Sequence, residues 1–309
     1  MQRATEGQLL FGPLCHPVGM GDIRLPLGIA FWFSLAASAA SPRPALTVAP
    51  GTVHPGDVVL VTLVALDGGA SVTPKGMFGG RPLAFVRHGR HFEAFAPLPL
   101  EVAVGPLALE ATWDVPSGPE SLTGSVDVAA PDFPAKELNV APKFLEPPES
   151  AKHQMAEDKA AFADAFAQPL VAREFSEPFT WPRPPNINAP FGDRRLFNGH
   201  QQSQHYGMDL SGRVGDSVVA ANAGTVVMAR SCYASGNTVL LHHGAGVYTA
   251  YFHLSKIEVK TGERIKRGQL LGRVGKTGRV TGPHLHFGAK VDGLYVDPAS
   301  LLRLALPAA

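Results

Sequence analysis

A chain of 309 residues is long enough for two domains, each with its own core. Hydrophobic residues make up 45% and charged residues 17%, with 33 Gly and 28 Pro, a turn-rich mixture that excludes a disordered or coiled-coil protein. The formal net charge of +1 excludes broad electrostatic attraction to nucleic acid or to an anionic membrane, so any partner must be recognised by local geometry.

Residues 1–40 read as a leader and signal peptide. Arg24 precedes the apolar run Leu25 to Ala37, and Ala37-Ser38-Ala39 fits the small-residue cleavage pattern. The run is shorter than the roughly 20 residues that a membrane span needs, so no stable span is expected in the mature chain. Export to the periplasm, cell envelope or exterior is the expectation, with Met20 as an alternative start to Met1. Cys15 falls within the leader and leaves Cys232 alone. A single thiol excludes a disulfide framework and a thiolate zinc site, and Cys232 reads as a small buried residue.

Residues 41–130 show short apolar runs broken by turn residues. Pro50-Gly51 and Pro55-Gly56-Asp57 precede the branched run Val58 to Val64, and Gly68-Gly69 and Gly79-Gly80 mark further turns. That spacing predicts a small all-β sandwich, and the stretch resembles an immunoglobulin-like domain. His88 and His91 are three apart, which on one strand sends them to opposite faces, and they read as solvated loop or strand-end residues. Residues 131–178 are a Pro-rich linker with one short helix. Ser150 is placed to cap it, Met155, Phe162 and Phe166 form a packing stripe, and Pro169 ends it.

Residues 179–303 are again strand-like, with apolar alternation and glycine corners in "GDSVVAANAGTVVMA" and "GERIKRGQLLGRVG" and a hairpin turning at Gly244-Ala245-Gly246. The fold class expected is mainly all-β. Three segments of this domain, "HYGMDL", "YFHL" and "GPHLHF", concentrate histidine and carboxylate. On strands, His284 and His286 share one face while Leu285 and Phe287 enter the apolar layer. His205 and Asp209 are four apart with Gly207 between them, which leaves room for an ion or a substrate backbone. His253 is expected to share a face with Tyr251 while Phe252 and Leu254 point to the core. Two of these histidines with Asp209 would supply the three protein ligands of a catalytic zinc site, and the remaining histidines could move protons or donate to an oxyanion.

The order and spacing of these blocks closely resemble the lysostaphin-type, LytM-like zinc metallopeptidases. The likeness runs from "APFGDRRLFNG" through "HYGMDL", "GDSVVAANAGTV" and "HHGAGVYTAYFHL" to "GERIKRGQLLGRVGKTGRVTGPHLHF", with "VDP" behind it. The resemblance implies one zinc ion per chain held by His205, Asp209 and His286, with His253 and His284 as the catalytic pair. It implies hydrolysis of peptidoglycan peptides. Arg194 or Arg195 would stabilise the oxyanion in place of a tyrosine that some relatives carry where Gly199 and His200 stand here. Asn198 lies near an asparagine that blocks the metal in some latent relatives, and no latency is inferred from it. His243 is expected to brace the hairpin corner.

Two other readings compete. A non-catalytic LytM-like factor that activates another wall hydrolase usually lacks zinc ligands, whereas His205, Asp209 and His286 are all present. A biotinyl- or lipoyl-like carrier would need a modifiable lysine at a hairpin tip, and Lys276 in "GKTGR" does not fit that pattern.

Overall fold

The computed structural model describes residues 43–64, 73–131, 133, 135–138, 147–197 and 201–306. The leader with its cleavage pattern and Cys15, the Gly68-Gly69 turn, and Asn198, Gly199 and His200 lie outside the described residues.

The N-terminal strands form two sheets. One is antiparallel and runs, neighbour to neighbour, Ala45–Ala49, Val58–Val64, His91–Pro97, Val86–His88. The other orders Thr52–Val53, Gly118–Val128, Gly105–Val115, Lys75–Phe78, Arg81–Leu83. Val59, Val61 and Leu63 of the first sheet share one core with Leu109, Ala111 and Trp113 of the second. The intervening Val58 and Leu60, with Val86 and Phe95, enter the core of the C-terminal domain instead. The branched run Val58–Val64 therefore lacks polar alternation for a physical reason: both of its faces are largely covered.

That second face joins the two halves of the chain. The Val58 N–H donates to Ser300 Oγ at 3.1 Å, and the Asp297 N–H donates to the Gly56 carbonyl at 2.7 Å. Arg173 Nε lies 2.8 Å from Glu93 Oε1, both side chains fully buried. His91 Nε2 is 3.6 Å from the same carboxylate. This corrects the reading of His88 and His91 as solvated residues on opposite faces. His88 pairs directly with His91 across the antiparallel ladder, their rings 5.4 Å apart, and His91 is buried. The chain reverses at Gly89-Arg90, so residues three apart in sequence become a cross-strand pair on one face.

The C-terminal domain is built on an eight-stranded sheet. Its strands order Ile187–Ala189, Met208–Ser211, His284–Val291, Val247–Leu254, Gly236–His242, Gly224–Cys232, Arg264–Ile265, and Leu294–Val296 also pairs with His284–Val291. One face carries Met208, Leu210, Tyr251, Leu285 and Phe287 into the main core. The smaller sheet of Ser217–Val219, Leu270–Arg273 and Lys256–Ile257 contributes Val218 and Leu271 to that core.

The helix Lys152–Phe166 covers part of the opposite face, where Phe162, Ala165 and Phe166 pack on Met228, Leu240, Ala250 and Phe252. Asp158 fixes it there by accepting from the Tyr233 N–H at 2.7 Å and from Arg230 Nη2 at 3.1 Å. Ser150 does not cap this helix. It lies within a 3-10 turn, Glu149–Ala151, that leads straight into the first helical turn. Cys232 is buried beside the helix. Among the described residues no helix is long and apolar enough to cross a membrane.

His243 sits at the hairpin corner within a buried chain of hydrogen bonds. Its Nδ1–H donates to the Ala223 carbonyl at 2.6 Å, and its Nε2 is 2.7 Å from Thr249 Oγ1. Thr249 in turn bonds Tyr251 Oη, which accepts from the Ala221 N–H at 2.9 Å. Burial pushes the His243 imidazole down to about 4 from its ordinary 6.5. Between those values the unfolded chain binds a proton that the folded chain refuses. Stability from this residue is complete above pH 6.5 and is lost as the pH falls towards 4.

Two outcomes follow. Urea unfolding of His243→Gln should show a flatter pH dependence than the parent between about pH 7.5 and about pH 5, the parent losing on the order of 2 kcal/mol more than the variant across that window. Glu93→Ala, which removes the buried carboxylate facing the Arg173 guanidinium, should lower the unfolding free energy by about 3–5 kcal/mol, and pairing it with Arg173→Met should restore most of the loss.

Candidate metal centre

The site grows from one strand register. Met208–Ser211 pairs antiparallel with His284–Val291 so that Asp209 faces His286 and Ser211 faces His284. The residues between them, Met208, Leu210, Leu285 and Phe287, are buried in the core, which fixes the polar set on the other face. His205 reaches the same point from the segment before the strand. Its Nε2 lies 3.1 Å from Asp209 Oδ1 and 3.0 Å from His286 Nδ1, and His286 Nδ1 lies 3.0 Å from Asp209 Oδ1.

This triangle has the chemistry of a cation site. The His205 Nδ1–H is engaged by the Pro190 carbonyl at 2.8 Å, so its Nε2 presents a lone pair to the other two atoms. Lone pairs of two imidazoles and a carboxylate converging this closely repel unless a positive charge lies among them. Ligand atoms around one tetrahedral zinc would stand about 3.3 Å apart, close to the spacing found. The three residues form the metal-competent cluster found among the described residues. Burial opposes ionisation of Asp209, but a proton on the facing nitrogen of His205 or His286 would outweigh it and hold the carboxyl well below the usual carboxylate range. Burial lowers the pKa of His286.

Gly207 explains the bare position between the first two donors. A Cβ there would lie 2.5 Å from His286 Nε2 and 2.8 Å from the Phe287 carbonyl oxygen. Phe252, opposite His286 in the ladder, stacks on its ring at 5.1 Å and 7°.

His253 and His284 stand beside the cluster, their rings 5.0 Å apart. The His284 Nδ1–H donates to the Gly282 carbonyl at 3.0 Å, and the His253 Nδ1–H donates to the Thr277 carbonyl at 2.9 Å. Each backbone acceptor leaves Nε2 as the unprotonated nitrogen, and His284 Nε2 lies 3.6 Å from Asp209 Oδ1. Burial pushes His253 down to about 4, so its imidazole is neutral at pH 7.

The route by which His253 arrives differs from the expected strand alternation. Tyr251 points into the core, and Phe252 lies on the same face as His286 and under the helix. His253 sits at a register shift with φ of +64°, a left-handed conformation that turns its side chain back to the site face. Gly275 accommodates this bulge, since a Cβ there would lie 2.5 Å from the His253 carbonyl oxygen and 2.2 Å from the Ser255 nitrogen. Sequence reasoning missed Phe252 because it assumed an unbroken period of two. It had no signal for the Pro190, Thr277 and Gly282 carbonyls, which act through backbone atoms.

Among the other candidates, Arg194 is exposed on the strand Arg194–Phe197, and the Arg195 side chain lies outside the described residues. His242 stacks on Tyr248 at 4.6 Å, away from the cluster.

Comparison with known proteins locates the same segment. Residues 203–298 match the model of peptidase family M23. The peptidoglycan DD-endopeptidase ShyA of Vibrio cholerae is 40% identical over 124 residues, which cover 40% of this chain and 28% of ShyA. The DD-carboxypeptidase/endopeptidase Mpg of Neisseria meningitidis is 37% identical over 131 residues, covering 42% of this chain and 29% of Mpg. The chain therefore spans under a third of the length of these curated relatives. A crystal structure from Pseudomonas aeruginosa, assigned to peptidase M23, superposes with a TM-score of 0.57 at 28% identity, covering 80% of this chain and 94% of that one.

Gly207→Ala removes no donor, yet it should weaken zinc binding by about 10–100-fold by displacing His286. Competition against a calibrated chelator measures this, and unchanged affinity would contradict the packing described.

Proposed function

Because residues 203–298 form a domain of peptidase family M23, we propose that the chain is an exported zinc-dependent endopeptidase that hydrolyses peptide crosslinks of bacterial peptidoglycan. The observation that carries the proposal is the meeting of three metal-seeking donors with two backbone-oriented histidines on one sheet face. The named activities of ShyA and Mpg, which share the segment, supply the substrate class.

In this reading His205, Asp209 and His286 hold one zinc ion. Zinc, when bound, supplies Lewis acidity that makes a water more acidic and polarises the scissile carbonyl. His253 and His284 act through Nε2, because the Thr277 and Gly282 carbonyls fix their Nδ1–H groups. Either imidazole can accept the attacking water's proton at Nε2. Once protonated there, it can donate to the carbonyl oxygen as charge develops or return the proton to the leaving amine. The side chains of Asp209, His284 and His286 each retain 14% exposure, which keeps the centre within reach of an extended peptide. Phe252 and the helix over it hold the His286 ring in place, and the buried Glu93–Arg173 pair ties the N-terminal sandwich to the same framework.

Metal-replete protein incubated with peptidoglycan sacculi should release muropeptides cut at peptide bonds. His284→Ala should lower kcat by about 10²–10⁴-fold while still binding one zinc per chain, since it removes a proton carrier and no donor. Failure of the replete protein to release muropeptides from sacculi of any crosslink type would defeat the proposal.

A further inference from the structure

The strand that bears His284 and His286 continues along the same face to Gly288 and Lys290 before it ends at Val291. Gly288 is buried between His286 and Lys290: a Cβ there would meet Ala250 Cβ at 3.4 Å, the Tyr206 carbonyl oxygen at 3.7 Å and His286 Nε2 at 3.8 Å. Further along the strand the Lys290 ammonium lies 4.0 Å from the centroid of the Phe166 ring and 5.2 Å from that of Tyr295. Tyr206, next to the donor His205, stands against Tyr295 at 5.3 Å, and both tyrosines are exposed. The aromatic faces steady the ammonium without neutralising it, and among the described residues no carboxylate pairs with Lys290.

Resting on the peptidase reading above, we propose that Lys290, framed by Tyr206, Tyr295 and Phe166, is a subsite for a free carboxylate of the peptide being cleaved. Four residues of strand separate Lys290 from His286, about 13 Å between their Cα atoms. Allowing for the reach of the lysine stem, the carboxylate sits about two to four residues from the bond that is cut. An extended peptide leading from the metal cluster towards Lys290 would place its apolar parts on the two exposed tyrosines. Burial also lowers the lysine's pKa from its ordinary range, as expected of an ammonium that has given up part of its water and still lacks a counter-ion. Lys290→Met keeps an unbranched side chain close to the lysine's length beside Phe166, whereas Lys290→Gln shortens it and adds an amide.

The test compares crosslinked muropeptides with free carboxylates against the same compounds amidated at each carboxylate in turn, using the full chain loaded with zinc. One amidation should raise KM for the parent protein by about tenfold or more with kcat little changed. Lys290→Gln and Lys290→Met should raise KM for the free form by a similar factor and erase the discrimination, and Lys290→Arg should keep most of it. Thermal melting of each variant separates loss of the subsite from loss of the helix packing, and Lys290→Met serves if Lys290→Gln melts early. Equal cleavage of free and amidated substrates by the parent overturns the subsite and leaves the peptidase reading intact. Variants that slow all substrates alike also overturn it. No cleavage of any substrate by zinc-loaded parent defeats the peptidase reading and the subsite with it.

Discussion

The register between Met208–Ser211 and His284–Val291 is the constraint on which the site depends. It sets Asp209 opposite His286, and a slip of one residue would bury both and expose Leu285 and Phe287. The apolar residues that alternate with the polar ones hold that register, so the energy of the core is what brings the donors together. The donors themselves oppose the arrangement, since their lone pairs converge at 3.0–3.1 Å. A cation in their midst would turn this local repulsion into attraction, and metal binding would then become part of the folding free energy of the face.

The two faces of the sheet divide the labour. The core face is closed by the smaller sheet and by Val58, Leu60 and Phe95 from the N-terminal sandwich. The site face is covered only in part, by a helix contributed from the linker. That helix touches the chemistry through a short relay, Phe162 edge-on to Phe252 and Phe252 stacked on His286. The sandwich and linker are therefore packed parts of the framework around the centre and not tethered appendages, with Arg173 and Glu93 buried where they meet.

Backbone carbonyls decide how the histidines are used. Pro190, Gly282 and Thr277 each accept an Nδ1–H, from His205, His284 and His253 respectively, so in all three rings Nε2 is the nitrogen left for the site. A histidine free to rotate or to exchange tautomers would populate this arrangement only part of the time. His243 shows the contrasting case: the same residue type, with both nitrogens committed inside the core, becomes a structural brace.

The mainly β fold, the sharing of one face by His284 and His286, and the burial of Leu285 and Phe287 were legible in the residues, because a strand's period of two is a local property. The bracing role expected of His243 was legible as a resemblance and is matched by its hydrogen bonds. The pairing of His88 with His91, the turning of His253 at a left-handed bulge, and the place of Phe252 beside the donors were not. Each depends on where a ladder reverses or shifts, and that is settled by contacts between segments far apart in the chain. Sequence alone therefore determined which side chains were available and the spacing within each short segment. Only the tertiary structure decided which atoms meet, because the core residues that align the strands carry no mark of their partners.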